Sequence, residues 1–226
     1  MFTNDEGYNV VLFDVDGPLV KDDAELHPEE TIRAIMNQEG FPEVKSELAK
    51  RICYDTLNRL AEIVSYKSNT LVIEISTWRF KGQEEVDLLN ILEFYGIPVN
   101  GFTKNIREDI EENRGIECVD ILSNIKVKSF VALDDWTNMI GEEYIASHLV
   151  KVDPSKGITE QNVEDAKNIM DKGIEAGFLE VVESVKNHKY WFYKDVENAG
   201  LTSDIHFEEM QGSRESLEES NFEISS

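Results

Sequence analysis

Apolar residues along this chain come in short runs that break at acids, glycine or proline. The first run, Val10-Val11-Leu12-Phe13, is β-branched and aromatic and stops at Asp14-Val15-Asp16-Gly17. A run this short and this continuous predicts a strand buried on both faces. His27-Pro28 then precedes apolar residues at positions 32, 35 and 36, which predicts a short helix ending near Gly40. From Glu43 to about Tyr66, apolar positions 48, 52, 57, 60, 61, 63 and 64 predict a helix with a break near Asp55. Thr70-Leu71-Val72-Ile73-Glu74-Ile75 reads as the second strand. Val86, Leu88, Leu89, Leu92 and Phe94 recur at helical intervals between Glu84 and Tyr95, and Gly96 and Pro98 close that helix. A further helix from about Gly115 to Ile125 leads into the strand Ser129-Phe130-Val131-Ala132-Leu133, ended by Asp134-Asp135. His148-Leu149-Val150-Lys151-Val152-Asp153 supplies one more strand.

Helix and strand thus alternate from residue 9 to residue 172, the pattern of an α/β fold built on a doubly wound parallel sheet. A length of 226 residues with 41% hydrophobic composition fits one domain with a tail. The domain is expected over residues 1–207, with an extension over 173–207 in which Ile174 to Val185 continues a helix. Lys189-Tyr190-Trp191-Phe192-Tyr193 is aromatic enough to dock on the core. Residues 208–226 are rich in Glu and Ser and are expected to be a disordered acidic tail. No internal repeat is visible.

The longest apolar runs are strand-sized, so no membrane span is expected. Met1-Phe2-Thr3-Asn4-Asp5-Glu6 lacks the basic start and apolar stretch of a signal peptide, and a soluble, cytoplasmic protein is the expectation. Cys53 and Cys118 have neither metal-ligand nor redox spacing and read as free thiols. The four histidines form no spaced pair, which leaves a zinc site or histidine nucleophile without support. The formal charge of -24, from 46 acidic and 22 basic residues, disfavours a broad surface for binding a phosphate backbone but leaves room for a local basic pocket.

The chemistry concentrates at strand ends. Asp14 and Asp16 sit where the first strand stops, which in an open α/β sheet is where ligands bind. In an extended segment, side chains at i and i+2 share a face, so both carboxylates can point into one site where a divalent cation offsets their repulsion. Gly17 lets the chain turn away. An Asp-x-Asp-Gly of this kind is also a common turn, and the apolar run before it is what favours a site.

The strand followed by Asp14-Val15-Asp16-Gly17-Pro18-Leu19 resembles the first motif of the haloacid dehalogenase (HAD) superfamily. Three further stations of that family follow in order. Ser76 ends the second predicted strand. Arg114 in Asn113-Arg114-Gly115 lies near a helix start, with Arg107 as the reserve basic residue. Asp134-Asp135 close a later strand. Ser76-Thr77-Trp78-Arg79, Arg114-Gly115, Leu133-Asp134-Asp135 and Lys151-Val152-Asp153-Pro154-Ser155-Lys156-Gly157-Ile158-Thr159 together are similar to the compact HAD domains of Swiss Army knife RNA-repair proteins, over about residues 8 to 172. Pro18 departs from the Thr or Val common after the motif glycine, and residues 22–50 read as a small cap-like insertion.

The resemblance implies a HAD-like Rossmannoid fold and phosphoryl transfer through an aspartyl-phosphate. Asp14 would be the nucleophile and Asp16 the acid and base. Ser76 and Arg114 would contact the phosphoryl group. Mg2+ would be held by Asp14, Asp16 through its carbonyl, and Asp134 or Asp135. Thr77 and Arg79 are candidates for substrate contact, Arg79 equally for a structural ion pair. Trp78 fits core packing or a stacking role. A small phosphorylated metabolite or a nucleotide is the expected substrate. The competing readings are a phosphatase for nucleic-acid ends, which the charge disfavours, and a binding protein of the same fold without turnover, against which the intact set of Asp14, Asp16, Ser76, Arg114, Asp134 and Asp135 argues.

Overall fold

Five strands, β1 (Tyr8–Phe13), β2 (Thr70–Glu74), β3 (Val99–Phe102), β4 (Val127–Asp134) and β5 (Leu149–Lys151), form a sheet in the order β3-β2-β1-β4-β5. This is seen in a computed structural model that describes residues 7–20, 28–103, 114–135 and 145–174. Every pairing in the sheet is parallel. The helices among the described residues are α1 (Glu29–Met36), α2 (Leu48–Arg51), α3 (Tyr54–Ser65), α4 (Gln83–Phe94), α5 (Arg114–Ser123) and α6 (Glu160–Lys172).

The continuous apolar run of β1 follows from its central place. Side chains alternate across a strand, so Val11 and Phe13 enter one core with Leu57, Leu60, Leu88, Ile91, Val163 and Met170 of α3, α4 and α6. Val10 and Leu12 enter a second core with Cys118, Val119 and Leu122 of α5. Helices therefore cover both faces, and a strand between them has no solvent side on which to place polar residues. The sequence expectation of a doubly wound parallel sheet holds.

Two local features differ from expectation. β3 is absent from the hydrophobic pattern because Val99-Asn100-Gly101-Phe102 looks like a turn. It is an edge strand whose register with β2 shifts between Val72 and Ile73. There the Asn100 side-chain oxygen accepts from the Val72 N–H at 2.8 Å in place of a backbone carbonyl. The predicted helix from Glu43 to Tyr66 is instead two helices separated at Ile52 and Cys53 rather than near Asp55. Ile52 is extended and bridges Val20, and the Cys53 N–H donates to the Leu19 carbonyl at 2.8 Å. That break pins the loop leaving β1.

Cys118 is a buried free thiol and Cys53 a partly buried one. No helix among the described residues is long and apolar enough to cross a membrane. The expected helix after Ile174, the aromatic segment at 189–193 and the acidic tail at 208–226 lie outside the described residues.

Candidate active site

Parallel pairing of β1 with β4 brings two strand ends together. Phe13 pairs with Leu133, and the Asp14 N–H donates to the Leu133 carbonyl at 2.9 Å. The next residues of both strands then lie side by side at the carboxyl edge of the sheet, so Asp14, Asp134 and Asp135 each offer a carboxylate oxygen within 4.8 Å of the others. Asp14 and Asp134 are buried, and Asp135 is partly exposed.

Arg114, the first residue of α5, stands between these acids. Its Nη1 lies 2.9 Å from Asp134 Oδ2, a hydrogen bond, and 3.0 Å from Asp14 Oδ1. The second contact is an ion pair without hydrogen-bond geometry, and Asp14 Oδ1 is buried with no donor of its own. Burial raises the Asp14 pKa to about 6; Arg114 pulls it down, the Asp134 charge pushes it up, and the Ser76 hydroxyl, hydrogen-bonded to the carboxylate, lowers it. Burial also works against the charge on Arg114, but Asp14 and Asp134 outweigh it and push the Arg114 pKa up. One guanidinium thus faces two buried carboxylates with a third acid beside them. A hard divalent cation fits this donor set, because oxygen lone pairs of three carboxylates, two of them buried, converge there.

The turn after Asp14 is shaped by Gly17. Its φ of +82° is one that side-chain-bearing residues rarely adopt, and a Cβ at this position would lie 2.6 Å from Asp135 Cγ. The Gly17 N–H donates to Val20 at 2.7 Å and the Val20 N–H to Val15 at 2.9 Å, closing the loop. The side chain of Asp16 is 46% exposed and its Oδ2 lies 3.7 Å from Lys81 Nζ. It therefore stands at the mouth, whereas Asp14 lies at the floor. The Asp16 side chain is outside the three-carboxylate cluster.

Ser76 caps a 3-10 turn, Thr77–Phe80, its Oγ accepting from the Trp78 N–H at 3.3 Å. Thr77 is exposed. Trp78 is fully buried in the core with Arg51 and Lys81 against its ring, so its indole presents no stacking surface to a ligand. The Arg79 side chain is buried too, donating to the Ser76 carbonyl and pairing with Glu117 at 3.7 Å. It braces the turn from beneath. Arg107 lies outside the described residues; among the described residues, Arg114 reaches Asp14 and Asp134.

Three features went unread in the sequence. Lys81 beside Asp16 is the first. The second is Phe80, 58% exposed on the same turn. The third is the pair Glu74 and Glu85, whose carboxylates are buried without hydrogen-bond partners. Burial raises the Glu74 pKa to about 9, with a further push from Glu85, and burial raises Glu85 as well. A charged residue inside the apolar strand Leu71-Val72-Ile73-Glu74-Ile75 was the available signal for Glu74. A lysine in a segment otherwise poor in them was the signal for Lys81.

Residues 10–163 match the family described as the HAD domain in Swiss Army Knife RNA repair proteins. Among solved structures, the HAD domain of the effector protein Lem4 from Legionella pneumophila is similar at 14% identity and a TM-score of 0.42, covering 74% of this chain and 98% of that one. An inactive mutant of the same domain gives 13% identity and a TM-score of 0.41, covering 74% and 96%. No curated protein matches the chain.

Proposed function

The chain belongs to the family of HAD domains in Swiss Army Knife RNA repair proteins, and on that premise we propose that it is a Mg2+-dependent phosphohydrolase working through an aspartyl-phosphate on Asp14. The observation that carries this reading is the convergence of Asp14, Asp134 and Asp135 with Arg114 bridging two of them. Asp14, Asp134 or Asp135, and the Asp16 carbonyl would hold Mg2+, which when bound offsets the charge of carboxylates and phosphoryl oxygens.

The chain's own groups do the rest. An Asp14 carboxylate oxygen bonds to phosphorus in line with the departing ester oxygen, whose bond to phosphorus breaks. The Asp16 carboxyl at the mouth gives that oxygen a proton, and the alcohol leaves. Asp16 then takes a proton from water as the water oxygen bonds phosphorus and the Asp14–phosphorus bond breaks, releasing orthophosphate. Ser76 donates to a phosphoryl oxygen, and Arg114 meets the charge that builds there.

A phosphatase screen in Mg2+ over sugar phosphates, nucleotides and phosphorylated oligonucleotides tests the reading. Turnover of at least one class is expected, with loss of nearly all activity in excess EDTA. Undiminished activity in EDTA, or none anywhere from folded protein, would reject it. One observation favours a second reading, with the phosphoryl group at a nucleic-acid end: the matching family is named for RNA repair. The -24 charge supports small substrates instead.

A further inference from the structure

Arg114, Arg79 and Lys81 are cations close to the candidate site and differ in exposure. Arg114 lies against Asp14 and Asp134 with its side chain 9% exposed, and the Arg79 side chain is buried against Glu117. Lys81 differs in being 36% exposed. Its Nζ lies 4.0 Å from the centroid of the Trp78 ring, and Trp78 is fixed in the core. A cation over an indole face is held in place without spending its N–H donors on an acceptor. The nearest ion-pair partner, Asp16 Oδ2, is at 3.7 Å, longer than a hydrogen bond. An ammonium has three donors, so Lys81 is positioned yet retains capacity for another anion.

Its place relative to the chemistry defines which anion. With Asp14 as attacking group and Asp16 as proton donor to the departing oxygen, the Asp16 side of the mouth is the leaving-group side. A cation beside Asp16 therefore faces the part of the substrate that departs, not the phosphoryl group transferred. We propose that Lys81 is a specificity residue that binds a negative charge carried by the leaving group, a phosphate or phosphodiester next to the scissile ester. Substrates of the form phosphate–nucleotide, rather than phosphate–neutral alcohol, are the class it selects. The exposed ring of Phe80, one residue earlier, offers an apolar face to a base in such a leaving group. This rests on the assignment of Asp14 and Asp16 above. In a chain with 46 acids to 22 basic residues, one ammonium at the mouth weighs more than it would on a neutral surface.

The test separates binding from turnover. In full-length Asp14→Asn protein, dissociation constants are measured by calorimetry for adenosine 5′-monophosphate, whose leaving group is neutral, for adenosine 5′-diphosphate, and for the 5′-phosphorylated dinucleotide pApA. At least one of the two ligands with a charged leaving group should bind about tenfold more tightly than the monophosphate. Lys81→Met, which keeps an apolar stem over Trp78, should bring that ratio to within about twofold. Arg51→Met, which removes the other cation that lies over the same indole, should leave the ratio intact. If the diphosphate alone shows the effect, the charge read is an adjoining phosphate; if the dinucleotide alone shows it, the charge is a backbone phosphodiester. A ratio unchanged by Lys81→Met, or absent in the parent, would overturn the proposal. Steady-state kcat/KM on the wild-type background distinguishes the two claims. A Lys81-dependent binding ratio in a protein that hydrolyses none of the three ligands would retain the anion site and count against the phosphohydrolase reading.

Discussion

Glu74 shows how a residue can stand out in a sequence and still go unread until the fold is known. A carboxyl inside an apolar strand is visible as an anomaly, but its effect depends on Glu85, Arg79 and Asp14, which are brought near it only by folding. Its pKa is raised from 4.5 to about 9, chiefly by burial. A group whose folded pKa is raised contributes stability that is complete below its unfolded pKa and is lost as pH climbs through the folded one. For metal-free protein, Glu74→Gln is therefore expected to have a melting temperature close to that of wild type near pH 5, and to gain on it steadily up to about pH 9. A difference that stays constant across that range would mean Glu74 is ionised throughout. At the same scale, Asp14 and Asp16 are legible because the apolar run of a strand stops at them, whereas Ser76, Arg114, Asp134 and Asp135 are named through the order of the HAD motifs that the sequence resembles. Lys81 has no such marker, because its position depends on the Trp78 ring beneath it and on Asp16 in a distant loop.

The elements carry the site through their ends. β1 and β4 deliver Asp14, Asp134 and Asp135 because they are neighbours in a parallel sheet, and α5 delivers Arg114 at its first residue. Strand order is not written in any one segment, so the sequence names the acids without fixing their spacing. β3 was hidden for a related reason: an edge strand with Asn100 and Gly101 at its middle lacks the apolar run that marks β1 and β4. The loop after β1 is the tightest joint in this arrangement. Gly17→Ala would place a Cβ 2.6 Å from Asp135 Cγ on a backbone with φ +82°, a strain of roughly 1–3 kcal/mol. Lower stability together with weaker Mg2+ binding is the expected result, since relief of the clash moves Asp135. Calorimetric titration and thermal melts check it. Wild-type Mg2+ affinity in the variant would show that Asp135 does not take part in the metal site.

At the scale of the whole molecule, charge is the dominant quantity. A net -24 repels polyanions over most of the surface, and salt screens that repulsion. A single contact such as that of Lys81 contributes a salt slope of only about one, far less than an extended basic groove would. For a phosphorylated oligonucleotide, kcat/KM is therefore expected to stay flat or rise between low and moderate salt. Submicromolar affinity that collapses with added salt would instead reveal a many-contact nucleic-acid track and move the RNA-end reading to first place.

The central claim is that Asp14 itself carries the phosphoryl group, and one trapping measurement tests it most directly. Protein turning over its best substrate in Mg2+ is quenched and treated with borohydride, which reduces an acyl phosphate to an alcohol, and the peptide containing residue 14 is read by mass spectrometry. Homoserine at position 14 that depends on substrate and Mg2+, and is absent from the Asp14→Asn protein, is the predicted result. Sustained turnover with Asp14 unmodified, or with the reduced residue found elsewhere in the chain, would contradict the account.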